Sequence, residues 1–258
     1  PRHDSEGREH QPFDLVAVSS LRGKNSLVLS DYRAKGVEVL VLDFGYLRRT
    51  NHASDPGGYF QVSRNGLSVL PQFDCPADRF AALGFEIPKD THGNGDAVLI
   101  LGQVPGDASH GMALDALTAW YGELAARVRS TTERPILFRP HPLAPEVTCD
   151  GAERTIGTLA EDLDRAHVVV SHSSTACFEA LLAGVPVCVF SGPCAKDQDL
   201  AAGEMPAPWF PVGAEAASFF ARVAYGQWTI DELASGEAVR FALSEGSQFA
   251  PESLIFED

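Results

Sequence analysis

The sequence predicts an α/β fold with two lobes of parallel β-sheet, of which the N-terminal lobe is reduced in length. Three observations carry this prediction. Apolar runs of strand length alternate with segments of helical periodicity. The runs are apolar throughout rather than alternating with polar residues, as in sheets covered on both faces. A stretch rich in Gly, Pro, Asp and Asn divides the alternation into two series within the 258 residues.

The first series of elements begins close to the N-terminus. Residues 50–95 then hold clusters such as SDPGG and THGNGD, which indicate turns and short strands, followed by a linker near 86–96. We place the reduced first lobe at 1–92, with a flexible polar start over 1–11, and the second lobe at 93–258. The predicted elements of the first lobe are a strand at 13–19 (FDLVAVS), a helix over 24–35 and a strand at 38–43 (EVLVLD).

The second series has four apolar runs separated by helical segments, which is the pattern of a doubly wound, Rossmann-like parallel sheet. Leu117, Tyr121, Leu124 and Val128 recur at helical spacing in the longest of these segments. Strands are predicted at 97–102, 135–140, 167–171 and 185–190, with helices over 112–129, 156–166 and 175–183 and, after the sheet, near 215–225 and 229–243.

Charge is distributed unevenly along the chain. The net charge is −15. Residues 161–258 hold four basic and fifteen acidic residues, whereas residues 1–80 hold ten of each. An anion site in the second lobe must therefore be built locally, from backbone N–H groups and a few placed cations. A nucleic-acid partner would meet the neutral first lobe, through a cluster of basic residues. The cluster consists of Arg22, Lys24, Arg33, Lys35, Arg48 and Arg49. The alternative is that these residues belong to a solvated surface of mixed charge.

No apolar run reaches the roughly 18 residues that a membrane span needs, so no membrane partner is expected. The five cysteines are an odd number and form no C-x-x-C pair. Reduced, buried thiols in a cytoplasmic protein are the expectation, with disulfides or a zinc site as the alternative. The oligomeric state is left open.

Three polar segments directly follow predicted strands of the second lobe. They are 102–107 (GQVPGD), 139–142 (RPHP) and 171–175 (SHSST). Ligands of open α/β sheets bind beyond the carboxyl ends of the strands, and parallel strands share that edge. We therefore expect the three segments to converge on one site.

The third segment predicts a phosphate site. Ser173, Ser174 and Thr175 stand where a strand ends and a helix begins, so their hydroxyls can cap the helix while its first N–H groups stay free for an anion. Taken alone, an ordinary helix cap explains them equally well. Arg139 and His141, held between prolines at the next strand end, add a cation and an imidazole and favour phosphate binding.

Other residues near this edge are candidate contacts to the nucleotide. Glu179, one turn into the helix, is a candidate acceptor for ribose hydroxyls, with a solvated helix residue as the alternative. Gly102, Gln103 and Asp107 lie in the Gly-rich loop and are candidate nucleotide contacts. Turn formation is the alternative reading of that loop.

The second lobe also resembles a known family. RPHP followed by SSTACFEALLAGVPV is similar to the C-terminal half of GT-B glycosyltransferases of the capsule and teichoic-acid types, which carry an HP motif and a paired-Ser motif. The resemblance implies that His141, Ser173 and Ser174 hold the phosphates of an activated donor. It implies that Glu179 contacts the donor ribose.

A closer resemblance covers some 220 residues. LGQVPGDAS, FRPHPLAP and QWTIDELASGEA, with LDFGYLRR and RNGL in the first lobe, resemble glycosyltransferases of tailed bacteriophages. This implies a GT-B fold and a metal-independent transfer of a sugar from a UDP- or CMP-type donor, with no further cofactor. A hydroxymethylated pyrimidine in DNA is then one candidate acceptor, and a small molecule, glycan or protein is the alternative.

Transfer to a hydroxyl needs a base within hydrogen-bond reach. Asp43, at the end of a predicted strand, is the first candidate and His52 the second, although a carboxylate there also suits a turn. Tyr46, Arg48 and Asn65 are predicted to shape the acceptor site. Two other classes stay open: a sugar-nucleotide epimerase of the same fold, and a nucleotide-binding protein without turnover.

Overall fold

The computed structural model describes residues 13–49, 57–91, 95–196, 200 and 203–244. The chain forms two compact units. The first unit consists of the described parts of Pro1–Gly84 and Ser218–Asp258, and the second of those of Phe85–Ala217. Residues 1–11, predicted as a flexible start, lie outside the described residues.

The second unit holds a five-stranded sheet in which every pair of neighbouring strands is parallel. The predicted parallel sheet is thus confirmed for this unit. Its elements are β4 (Ala97–Leu101), α3 (Leu114–Thr131), β5 (Ile136–Arg139), β6 (Glu153–Arg154), α4 (Leu159–Arg165), β7 (Ala166–Ser171), α5 (Ala176–Leu182) and β8 (Val187–Val189).

The strand order β6-β5-β4-β7-β8 places a topological switch point between β4 and β7. From β4 the chain moves outward in one direction through α3 to β5, and from β6 it crosses back through α4 to β7 on the other side of β4. The loops after β4 and β7 therefore diverge, and ligands of doubly wound folds bind in the crevice that this leaves. Every residue of β4 is buried, as its uninterrupted apolar sequence predicts.

Helix α3 covers one face of this sheet with the predicted apolar stripe. Leu117, Tyr121, Leu124 and Val128 are buried at helical spacing. The hydroxyl of Tyr121 donates to the carbonyl of Leu101 over 3.1 Å, which satisfies the buried phenol and ties the helix to the end of β4.

The first unit differs from its prediction, because its sheet is mixed rather than parallel. Its elements are β1 (Leu15–Ser19), α1 (Asn25–Ala34), β2 (Glu38–Phe44), β3 (Tyr59–Arg64), α2 (Asp78–Leu83), β9 (Gln227–Thr229), α7 (Ile230–Ala234) and α8 (Glu237–Leu243), with α6 (Gly213–Tyr225) crossing the division between the units. Only the β1–β2 pair, joined by α1, is parallel. The β2–β3 and β3–β9 pairs are antiparallel. Parallel pairing needs a crossover, and among the described residues between β2 and β3 there is no helix to make one.

The C-terminal segment lies in the first unit, whereas the sequence places it in the second lobe. The reason is visible around Arg79 of α2. Its guanidinium lies 3.9 Å from the ring centre of Trp228, and it forms an ion pair with Glu232 and a hydrogen bond of 3.0 Å to the carbonyl of Gln227. Strand β9, only three residues long, lies between the helices predicted near 215–225 and 229–243 and overlaps the start of the second by one residue. The division into an acceptor lobe and a donor lobe stays a prediction.

All five cysteines are unpaired in the structure, and four of them are buried. Burial raises the pKa of Cys149, Cys177 and Cys188 to about 12 and that of Cys75 to about 11. These thiols stay protonated near neutral pH and act as small apolar side chains. Among the described helices, none combines the length and the apolar character that a membrane crossing requires.

Candidate functional site

The loops after β4 and β5 meet because Gly102 has no side chain. Its N–H donates to the carbonyl of Arg139 over 2.7 Å. A Cβ at Gly102 would lie 2.9 Å from the Arg139 oxygen and 3.0 Å from the His141 nitrogen, closer than real Cβ atoms come. Gly102 therefore brings the RPHP segment against the first residue after β4. This is a backbone role at the predicted nucleotide position.

The loops after β4 and β7 are joined by Gln103 and Ser173. The side-chain amide of Gln103 donates to the Ser173 hydroxyl over 3.0 Å, and the Ser173 backbone N–H donates to the Gln103 carbonyl oxygen over 3.0 Å. Gln103 is only 7% exposed. Both amide functions are thus used in a reciprocal pair that spans the switch point. The three predicted segments do converge, through Gly102 on one side and Gln103 on the other.

The same network continues to Ser109, which the sequence prediction missed. The Ser173 hydroxyl donates to the Ser109 hydroxyl over 2.8 Å. Asp107 Oδ1 accepts from both the N–H and the hydroxyl of Ser109, at 2.9 and 2.8 Å. In the structure Asp107 therefore shapes the loop, as the turn alternative predicts. Its carboxylate positions Ser109, and Ser109 contacts Ser173.

The start of α5 differs from the expected anion site. The Ser174 hydroxyl accepts from the N–H of Ala176, and the N–H groups of Cys177 and Phe178 bond to the carbonyls of Ser174 and Thr175. Thr175 is the N-cap but forms no side-chain cap bond. The first N–H groups are therefore engaged by the tight turn that enters this seven-residue helix. The hydroxyls of Ser173, Ser174 and Thr175 are the polar groups that the turn presents.

Arg139 neutralises a carboxylate of its own unit. Its Nη1 donates to Asp162 Oδ2 over 2.8 Å and to the carbonyl of Gly157 over 2.6 Å. Asp162 is only 2% exposed, and Thr155 donates to the same oxygen over 2.7 Å. A buried carboxylate without this partner is strongly unfavourable. Arg139 is thus already paired with Asp162 on α4, and its role as a phosphate contact stays a prediction.

His141 and Glu179 keep their predicted places at this edge. The Nδ1 of His141 accepts from the backbone N–H of Leu143 over 3.1 Å, so the neutral ring carries its proton on Nε2. His141 is half-buried and Glu179 is exposed. Glu179 lies in the first turn of α5, one turn beyond the Ser173–Thr175 hydroxyls.

Two histidines and a tryptophan line the same region and were not predicted. The rings of His110 and His172 lie 5.6 Å apart, and Trp120 of α3 packs on His172 at 5.4 Å. His172 Nδ1 is 3.3 Å from the Ser173 hydroxyl. Burial lowers the pKa of both histidines below the usual value, although the Asp107 charge opposes this at His110. The sequence signal of the two histidines is that His110 directly follows Ser109 and His172 directly follows Ser171, which a single sequence does not distinguish from structural histidines.

The predicted acceptor residues do not form one cluster in the first unit. Tyr46 is fully buried, and its hydroxyl donates to Gln61 Oε1 over 3.1 Å, so it presents no surface to an acceptor. Arg48 donates to the carbonyl of Leu83, the last residue of α2, over 2.6 Å. It therefore caps that helix. Burial therefore excludes Tyr46 from contact with an acceptor, whereas Arg48 is exposed and its role at an acceptor stays a prediction.

Asn65 and Asp43 lie toward opposite ends of β2. Asn65 Oδ1 accepts from the N–H of Val39, near the start of the strand, while Asp43 is its penultimate residue. Val39 and Asp43 are four positions apart, or roughly 13 Å along a strand. Asn65, at φ +60°, therefore completes the turn after β3 rather than joining Asp43. Asp43 Oδ1 accepts from the N–H of Phe44 over 2.8 Å. His52 lies outside the described residues.

Two concave features lie apart from this edge. A cavity of about 420 Å³ in the first unit is lined mainly by apolar side chains, with Asn65 as the only predicted site residue on its wall. An acidic groove of about 670 Å³ in the second unit is lined by Asp115, Glu123, Glu146 and Asp150, among others. Within the described part of the chain, no group of three or more His, Cys, Asp or Glu side chains is placed to hold a metal ion.

Comparison with known proteins shows the fold. No family model and no curated protein matches the chain. One similar solved structure is a beta Kdo 2,7 transferase, KpsC of Thermosulfurimonas dismutans, with a TM-score of 0.53 and 19% identity over 88% of this chain and 84% of that one. Another is a beta Kdo 2,4 transferase, KpsC of the same organism, with a TM-score of 0.55 and 17% identity over 85% and 82%. The chain therefore shares an α/β fold with these two transferases.

Proposed function

We propose that this protein is a glycosyltransferase that moves a sugar from a nucleotide-activated donor to an acceptor hydroxyl. The observation that carries the proposal is the reciprocal Gln103–Ser173 pair at the switch point of a doubly wound sheet. This crevice is where such folds bind nucleotides. The similar fold of two Kdo transferases supports the reaction class, and the paired-Ser and HP motifs support the donor site.

In this proposal the donor phosphate lies against the loops after β5 and β7. The hydroxyls of Ser174 and Thr175 and the imidazole of His141 donate hydrogen bonds to its oxygens. The Ser173 hydroxyl, which donates to Ser109 in the structure, turns its proton to the phosphate when the donor binds. Arg139 acts indirectly, because its charge is matched by Asp162 while its backbone stays against Gly102. Glu179 binds the ribose hydroxyls.

The chemistry follows from these placements. The acceptor hydroxyl attacks the anomeric carbon of the sugar while the bond from that carbon to the phosphate oxygen breaks. Negative charge develops on the leaving phosphate, where preorganised donors stabilise it most strongly. The proton of the hydroxyl passes to a base, for which Asp43 stays the candidate that the sequence predicts.

The charge available at the site bears on the choice of donor. The described polar groups around Ser173 are hydroxyls, an amide and imidazoles, and Arg139 is already paired. A CMP-type donor carries one phosphate charge and a UDP-type donor two. A site made mainly of neutral donors suits the single charge better, so we propose a CMP-type donor. The acceptor carries a free hydroxyl, and neither similar structure is named for a nucleic-acid substrate.

Incubation with a panel of CMP- and UDP-sugars, with and without candidate acceptors, tests the proposal. Nucleotide release that depends on an acceptor is expected. Formation of an isomeric sugar nucleotide instead identifies an epimerase. Tight nucleotide binding without any turnover identifies a binding protein, and either result contradicts the transferase proposal.

A further inference from the structure

We propose that His110 is a binding residue of the donor site and that its Nε2–H group donates a hydrogen bond to a phosphate oxygen of the nucleotide. This inference rests on the proposed function, because it concerns the same edge of the second unit's sheet. It adds a contact from the loop after β4, which neither the HP motif nor the paired-Ser motif contains.

The first step is the tautomer of His110. The backbone N–H of Met112 donates to His110 Nδ1 over 3.0 Å. A ring nitrogen that accepts a hydrogen bond carries no proton, so the neutral ring has its proton on Nε2. The structure therefore fixes Nε2 as a donor.

The second step is that this donor lacks an acceptor. Among the residues that the structure describes, no acceptor forms a hydrogen bond of ordinary length and angle with the buried His110 Nε2, although the Val104 carbonyl lies near the ring and acts to raise its pKa. Buried polar groups are nearly always paired, because an unpaired one loses its bonds to water without replacement. A ligand oxygen supplies the acceptor that the described part of the chain does not.

The third step is the position of the ring. His110 directly follows Ser109, whose hydroxyl accepts from Ser173 over 2.8 Å. The loop is held by hydrogen bonds from the N–H groups of His110 and Gly111 to the Asp107 carbonyl, at 3.2 and 2.7 Å. The ring centre lies 5.6 Å from that of His172. The unpartnered donor thus belongs to the cluster that spans the switch point.

The fourth step concerns charge. The titratable groups around His110 are Asp107 on its own loop and His172 on the loop after β7. Burial lowers the pKa of each histidine, so both rings are neutral at pH 7. A neutral Nε2–H binds a phosphate oxygen without placing a buried cation beside His172.

The variant His110→Asn removes the hydrogen-bond donor of the ring while keeping the structure of the loop. Asn keeps an acceptor for the N–H two residues on, as in an Asx turn, but removes the Nε2–H. Affinity for CMP and UDP, measured by titration calorimetry, should fall about tenfold to a hundredfold, as for loss of a hydrogen bond to a charged group. His167→Asn is the matched control, because His167 is exposed at the opposite end of β7. Equal affinity of His110→Asn and the unchanged protein overturns the proposal.

The ¹⁵N NMR signals of the imidazole ring test direct contact, because a purely structural role of His110 would leave them unchanged when nucleotide binds. The Nε2–H signal of His110 should shift and its exchange with solvent should slow when CMP or UDP is added. An unchanged signal in the nucleotide-bound protein overturns the proposal. If Ser173→Ala weakens binding while His110→Asn does not, the donor site stands and the role of His110 fails. If the unchanged protein binds neither nucleotide, both fail.

Discussion

Gln103 and Ser173, 70 positions apart, form two reciprocal hydrogen bonds of 3.0 Å across the switch point of the second unit. The pair joins the loop after β4 to the loop after β7. It fixes the Ser173 hydroxyl, on which Ser109 and His172 also converge. A polar pair of this kind, with Gln103 buried, is energetically demanding unless both partners are present.

A double-mutant cycle measures the coupling of this pair. Gln103→Ala and Ser173→Ala should each lower the free energy of unfolding by about 1–3 kcal/mol, because the first leaves the Ser173 N–H without its acceptor and the second leaves Gln103 Nε2 without the Ser173 hydroxyl. The double variant should lose less than the sum of the two. Urea unfolding of the four proteins provides the values. If the two losses of unfolding free energy add strictly, the side chains of Gln103 and Ser173 do not interact.

Gly102→Ala should disturb the donor site through the backbone. The new Cβ would lie 2.9 Å from the backbone of Arg139 and Pro140, so the RPHP segment must move. We expect a stability loss of about 1–3 kcal/mol, as for overpacking, together with weaker nucleotide binding.

Gly122→Ala is the matched control. A Cβ there meets only Asp150 Cβ at 3.8 Å, and the position lies within α3. Ala should therefore raise stability by about 0.5–1 kcal/mol through helix propensity and leave nucleotide affinity unchanged. Equal behaviour of the two variants in thermal unfolding and nucleotide titration would refute the close-approach role of Gly102.

Arg139 should stabilise the fold by neutralising the buried carboxylate of Asp162. Arg139→Met removes the partner of a buried carboxylate and should cost about 3 kcal/mol or more in unfolding free energy. The double variant Arg139→Met with Asp162→Leu should recover most of this loss, because no unpaired buried charge then exists. Chemical denaturation distinguishes the outcomes. A double variant as unstable as Arg139→Met alone would show that Arg139 contributes by some means other than neutralising Asp162.

Lowering the pH should reduce the stability of the first unit, because Glu38 becomes protonated. Hydrogen bonds from Arg64, followed by one from Asn65, lower the pKa of Glu38 to about 2 from its ordinary value of 4.5. The folded state therefore binds fewer protons than the unfolded one in this range. The contribution of Glu38 to stability is complete above about pH 4.5 and is lost as the pH falls toward 2.

Glu38→Gln should remove this part of the pH dependence while leaving the remainder. The test is the urea midpoint between pH 2 and 7. Glu153→Gln serves as control, because its carboxylate is 69% exposed and lies 3.6 Å from Arg165. If Glu38→Gln and the unchanged protein lose stability in parallel on acidification, the Arg64 pairing does not stabilise the fold.

The second unit was largely predictable from sequence, since its apolar runs and turn-forming glycines locate its four main strands and the edge where ligands bind. The first unit was not. Whether β2 and β3 pair parallel or antiparallel depends on the connection between them rather than on the strand sequences. Tyr46 illustrates the same limit, because its burial arises from β9, in which Gln227 Oε1 accepts its N–H over 2.8 Å from 181 positions away.

The candidate site, like the fold, could be predicted from the sequence only in part. Convergence of the three loops follows from strand order, which the β-α alternation predicts. The partner of Arg139 does not follow from it, because Asp162 lies 23 positions along the chain on a helix that carries several carboxylates. His110 carries no periodic or motif signal. Its proposed role as a phosphate contact rests on the hydrogen bond to Nδ1, which fixes the tautomer, and on the buried Nε2 on the other side of the ring.

The most direct test of the donor site is nucleotide binding by the unchanged protein and by Ser173→Ala. Titration calorimetry with CMP and UDP should show binding to the unchanged protein. Loss of the Ser173 hydroxyl should weaken it by about tenfold or more, in line with a hydrogen bond to a charged group. Equal affinity of the two proteins for a nucleotide that both bind, or no binding by either, would contradict a nucleotide-sugar site at this edge of the sheet.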